Sequence, residues 1–146
     1  MNTTLGHSHA SILLVDDEKQ FLSIFAQRLE RRGLKIEIAA SGEEAIERSS
    51  KTEFDAIVLD MEMPGMDGVT TLKRLKSANP DLQVIILTGH ATTEKIVEAM
   101  KEKAMDYLEK PVDLNKLLAK IEEAQQKKIL VEEKKKGDAA KEVRPA

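Results

Sequence analysis

Five short apolar runs, each followed by a stretch with helical periodicity, constrain this chain more than any other feature. The runs fall at residues 11–15, 35–39, 54–59, 83–87 and 105–109. The periodic stretches follow at 18–32, 43–50, 69–77, 92–103 and 114–136. In the first stretch, Phe21, Leu22, Phe25 and Leu29 form one apolar stripe. Ser41 and Glu44 have capping-box spacing, and Asp113 stands where it can cap the last helix, just after Pro111. Gly33 and Gly137 are expected helix stops. Strand and helix in strict alternation predict an α/β domain with a parallel sheet. Apolar residues make up 41% of the chain but aromatics only 3%, so the core must be aliphatic.

The strands differ, and the difference orders them. "ILLV", "AIVL" and "VIIL" are unbroken apolar runs, as expected of central strands covered by helices on both faces. "KIEIAA" and "MDYLEK" mix polar with apolar residues, as edge strands do. With right-handed crossovers, the expected order is 2-1-3-4-5, a flavodoxin-like doubly wound (βα)5 sheet. In that order the winding reverses between strands 1 and 3, and ligands bind outside the carboxyl ends at such a reversal.

That place is crowded with acids. Strand 1 runs into Asp16, Asp17 and Glu18, and strand 3 into Asp60 of "AIVLDMEMPGMDG". Strands 4 and 5 deliver Thr88 and Lys110 beside them. Like charges repel and lose hydration when buried, so the cluster asks for a cation. Oxygen-only donors suit Mg²⁺; with no cysteine, and only His90 near the strand ends, zinc fits poorly. A bound Mg²⁺ leaves room for phosphoryl oxygens, which the Thr88 hydroxyl and the Lys110 ammonium could also hold. A carboxylate can itself accept the phosphoryl group. Asp60 is the candidate, standing alone on the central strand while Asp16 and Asp17 come as a pair.

With these residues in this order, the chain resembles the receiver domain of a bacterial two-component response regulator. The resemblance rests on Asp16 and Asp17, Asp60 with "MPGMDG" behind it, Thr88 followed by Gly89, Tyr107, and Lys110 with Pro111. It spans residues 11–126. It implies that a sensor histidine kinase or phosphotransfer protein supplies a phosphohistidine, which Asp60 attacks. Asp17, Asp60 and the backbone carbonyl of Glu62 would ligate Mg²⁺, with Asp16 bound largely through water. Thr88 and Lys110 would contact the phosphoryl group; Thr88 would move toward it and Tyr107 swing inward behind. The face of helix 4, strand 5 and helix 5 would then dock a downstream protein target or a second protomer. A cis bond before Pro111 is also implied. Such a chain is a signalling domain that catalyses only its own phosphorylation and dephosphorylation.

Glu62 lies two residues after Asp60 and His90 two after Thr88, so both are expected to overhang the phosphoryl group and tune its lifetime. Structural readings stand beside the functional ones. Asp17 or Glu18 could simply favour a helix N-terminus, Asp67 could cap helix 3, and Met61, Met63 and Met66 read as loop packing. His7 and His9 form a short pair in the flexible N-terminus, where metal binding is not expected.

Residues 1–10 read as a flexible N-terminus, 11–126 as the domain, and 127–146 as a helix extension with a disordered basic tail. The last twenty residues carry seven Lys/Arg against four Asp/Glu, while the rest is acidic, which argues against nucleic-acid binding by the domain. Leu114, Leu117, Ile121, Ala124 and Val131 approach heptad spacing, interrupted by Lys128; self-pairing and packing on the domain's own core both fit. No secretion signal or membrane-spanning run is read, and a cytoplasmic home is expected. The alternatives are a Mg²⁺-dependent phosphohydrolase with an aspartyl nucleophile, and a receiver cut from a larger DNA-binding regulator. In the hydrolase, Glu62 would take the place of the usual second acid.

Overall fold

A computed structural model describes residues 10–89 and 93–142, with side chains of the last helix described as far as Gly137. The elements alternate as β1 (Ser11–Val15), α1 (Lys19–Glu30), β2 (Lys35–Ala39), α2 (Gly42–Lys51), β3 (Ala56–Asp60), α3 (Gly68–Ala78), β4 (Val84–Thr88), α4 (Thr93–Lys101), β5 (Asp106–Glu109) and α5 (Leu114–Glu142). All strands are parallel, in the order β2-β1-β3-β4-β5. The two strands with mixed composition are the edges, as their half-exposed faces require.

Alternation along the central strands divides the core into two layers. Leu13, Val15, Ile57, Leu59, Val84 and Ile86 pack against Ala45 of α2, Leu72 and Leu75 of α3 and Ala99 of α4. Ile12, Leu14, Val58, Ile85 and Leu87 face the other way, onto Leu22, Phe25 and Leu29 of α1 and Leu117 and Ile121 of α5. Being sandwiched on both faces is what demands the unbroken apolar runs.

The element ends follow their chemistry. Ser41 accepts the Glu44 N–H (3.1 Å) and Asp67 the Thr70 N–H (2.9 Å). Asp113 accepts the N–H groups of Asn115 (2.9 Å) and Lys116 (3.2 Å). Gly33 takes φ +91° just after α1, as a stop should, and the Lys110–Pro111 bond is cis.

Several element bounds need adjustment; α1, for one, is shorter than expected, at Lys19–Glu30. β3 and β4 start later than expected, at Ala56 and Val84, and each reaches one residue further, so Asp60 and Thr88 are the last paired residues of their strands. β5 starts a residue later than expected, at Asp106, because Met105 only leads in by donating its N–H to the Val84 carbonyl. α4 ends at Lys101, and the turn behind it is closed by Lys103 in the left-handed region (φ +72°). α5 does not stop at Gly137 but runs through to Glu142. Gly137 has open space around it, and a lone exposed glycine disfavours a helix by only ~1 kcal/mol, too little to end one without a cap or proline.

The heptad-like stripe of α5 is core packing over Leu117, Ile121 and Ala124, all buried. Lys128, which breaks the stripe, reaches Asp55 Oδ1 at 3.1 Å and Glu53 Oε1 at 3.7 Å. No helix among the described residues is long and apolar enough to cross a membrane.

Candidate functional site

The carboxyl ends of β1, β3, β4 and β5 meet at one edge of the sheet. Asp16 follows β1 directly and is fully buried; its N–H donates to the Ala39 carbonyl (3.1 Å), and its Oδ1 accepts the Glu18 N–H (2.9 Å). Asp17 beside it is exposed. Asp60 is 2% exposed and accepts the Glu62 N–H on Oδ1 at 3.2 Å. Register brings Lys110 next to these acids: its N–H donates to the Thr88 carbonyl (2.9 Å), one residue beyond the Thr88–Glu109 pair. Lys110 Nζ then stands 2.9 Å from Asp16 Oδ2, 3.4 Å from Asp60 Oδ1 and 3.7 Å from Glu18 Oε1.

Beneath that ammonium lies the ring of Phe21, 5.2 Å from Nζ to the ring centroid and itself stacked 4.7 Å from Phe25. Phe21 belongs to the expected α1 stripe; its second role, as a floor for Lys110, had only the lysine–aromatic pairing as a signal.

The loop after Asp60 is shaped by close approach. A Cβ on Gly68 would fall 2.6 Å from the Met61 Cα, so only glycine lets α3 begin where Gly68 N–H bonds the Met61 carbonyl (3.2 Å). Gly65 makes the turn with φ +79°. Met61 and Met63 are buried, which fixes the backbone of Glu62 between them and leaves its side chain on the site. Glu62 Oε1 accepts the Thr88 hydroxyl (3.2 Å) and the Gly89 N–H (2.6 Å).

Of the residues expected here, Asp16, Asp17, Asp60, Glu62, Thr88 and Lys110 are thus brought together. Tyr107 is not: it stands 37% exposed on β5. His90, like His7 and His9, lies outside the described residues.

Electrostatics at the site are strained toward a cation. Burial first, then the charge of Asp16, pushes the Asp60 carboxyl up to about 6, against the Glu62 N–H and Lys110, which pull it down. Burial disfavours the Lys110 ammonium, but its hydrogen bond to Asp16 and the charges of Asp60 and Asp16 outweigh that and hold it above its ordinary value. One ammonium does not balance three carboxylates. Asp16, Asp17 and Asp60 each offer an oxygen, all within 4.8 Å of one another. That hard, oxygen-only, incompletely neutralised donor set fits Mg²⁺.

The family model for the response regulator receiver domain matches residues 12–122. Among curated relatives, the transcriptional regulatory protein ZraR of Escherichia coli (strain K12) is 39% identical over 120 residues, covering 82% of this chain and 27% of ZraR. The DNA-binding transcriptional regulator NtrC of the same strain is 34% identical over 113 residues, covering 77% of this chain and 24% of NtrC. The chain therefore spans about a quarter of the length of those regulators. Among solved structures, a response regulator receiver domain protein from Clostridium thermocellum superposes with a TM-score of 0.80 at 35% identity, covering 84% of this chain and 98% of that one. With the matched strand order and the matched span, the chain belongs to the response regulator receiver domain family.

Proposed function

We propose that this chain accepts a phosphoryl group on Asp60, from the phosphohistidine of a sensor histidine kinase or phosphotransfer protein, in a two-component phosphorelay. The observation that carries the reading is the convergence of a buried carboxylate, a lysine ammonium and a strand-end hydroxyl over a three-carboxylate cluster. An Asp60 oxygen attacks phosphorus as the phosphorus–nitrogen bond breaks, the electron pair leaving with the donor imidazole. Lys110 holds Asp60 and orients the entering oxygens, and Thr88 donates to one of them. Asp17, Asp60 and the Glu62 carbonyl would hold Mg²⁺, with Asp16 behind through water; the ion, when bound, supplies positive charge where phosphoryl charge gathers. Catalysis is thereby limited to the chain's own phosphorylation and dephosphorylation.

Thr88 and Tyr107 serve as the switch in this reading, and Glu62 and His90 set how long the aspartyl phosphate survives. Downstream contact falls on the face of α4, β5 and α5, where Val97, Met100 and Tyr107 stand exposed; a protein target or a second protomer docks there. The acidic composition of the domain leaves nucleic acid no footing on it, and a cytoplasmic place follows from the donor. The span of about a quarter of ZraR and NtrC is compatible with a second reading, service as the receiver part of a longer transcriptional regulator.

Calorimetric titration with fluoroberyllate, a mimic of the bound phosphoryl group, tests the proposal. Mg²⁺-dependent binding is expected for the wild type, with none for Asp60→Asn. Failure of the wild type to bind with Mg²⁺ present would contradict it.

A further inference from the structure

We propose that the Glu62 carboxylate is a resting-state latch on Thr88 and Gly89, and that it must swing away before a phosphoryl group can use them. The inference rests on the phosphoacceptor reading above and deepens it. Two hydrogen bonds carry it: Glu62 Oε1 accepts the Thr88 hydroxyl at 3.2 Å and the Gly89 N–H at 2.6 Å. Thr88 is buried, 3% exposed, at the end of β4, beside the end of β3 where Asp60 stands.

A threonine hydroxyl has one proton, and so does a backbone amide. Neither can donate to Glu62 and to a phosphoryl oxygen at once. The carboxylate is also an anion placed where a second anion must arrive, so occupancy by one disfavours the other.

The release needs no refolding. Met61 and Met63 are buried on either side of Glu62, and its own N–H is held by Asp60 Oδ1 at 3.2 Å. Its backbone is therefore fixed, and the latch opens by side-chain rotation alone. Glu62 is thus a positioning residue, acting through the groups it holds. Bonds to a carboxylate outweigh those to a neutral acceptor, and their loss on activation biases the chain toward rest.

The experiment measures Mg²⁺-dependent fluoroberyllate affinity for wild type, Glu62→Ala and Glu62→Gln, together with hydrogen exchange at the Gly89 amide of the resting protein. Glu62→Ala is expected to bind about tenfold tighter, with faster exchange at Gly89. Glu62→Gln keeps a neutral acceptor, so it should fall between the other two in both readouts. Equal affinity for wild type and Glu62→Ala would overturn the latch and leave the phosphoacceptor reading standing. So would equal affinities for the Ala and Gln variants with Gly89 exchange unchanged, which would mark simple charge repulsion. No binding by any of the three proteins would overturn both.

Discussion

At the scale of single residues, Asp60 sets the terms. Its carboxyl is raised from 3.8 to about 6, first by burial and then by Asp16. The unfolded chain gives up this proton near pH 4 and the folded chain only near pH 6. This group's contribution to folding is therefore full below about pH 4 and is lost as pH rises through about pH 6. Asparagine has no such titration. In metal-free buffer, Asp60→Asn should gain on the wild type between about pH 4 and pH 7, by at most about 3 kcal/mol. Urea unfolding of both proteins at the two pH values checks this; a gap independent of pH would contradict it. Lys110 is the counterpart. Lys110→Ala leaves the buried Asp16 without its 2.9 Å partner and should destabilise the metal-free chain by about 3 kcal/mol. Asp60→Asn in the same background should recover part of that loss, since one of the repelling charges is gone. Identities and strand-end positions of these groups were legible in the sequence, because a carboxylate that ends an apolar run has only one place to go. The partner of the Glu62 carboxylate was not. Which neighbour a side chain takes is decided by a rotamer, and only the packing of Met61 and Met63 in three dimensions selects it.

At the scale of elements, two joints stand out, one beside the site and one far from it. Gly68 lets α3 start against the Met61 backbone, where an added Cβ would sit 2.6 Å from Cα. Gly68→Ala should destabilise the domain by about 1–3 kcal/mol and weaken Mg²⁺ binding, because the shift is transmitted to the loop carrying Glu62. Thermal melts with and without Mg²⁺ measure both effects; an unshifted melting temperature would contradict them. The second joint lies at the opposite end of the strands, where Lys128 clasps Asp55 and Glu53, and Lys135 meets Asp81. These contacts lay the extension of α5 along the amino ends of β3 and β4. Lys128→Ala should speed hydrogen exchange from about residue 127 onward while leaving the central strands protected. Lys128 reads in the sequence as a flaw in an apolar stripe, and it becomes a clasp only when Asp55 is brought to it across the fold. Gly137 misleads in the same way: a glycine stops a helix when the next turn needs a left-handed residue, and here the helix simply continues.

At the scale of the whole molecule, strand order follows from composition. Runs such as "AIVL" have to be covered twice, and "KIEIAA" does not, so the centre and edges of the sheet sort themselves. The reversal between β1 and β3 then gathers residues distant in the chain, with Lys110 meeting Asp16 across 94 positions. The same gathering stores unfavourable charge in the ion-free fold, which a cation relieves. The direct measurement is intact-protein mass after incubation with acetyl phosphate, with and without Mg²⁺, beside Asp60→Asn. One added phosphoryl group on the wild type with Mg²⁺, and none on the variant or without the ion, is the expected result. An equal addition to Asp60→Asn would contradict Asp60 as the acceptor.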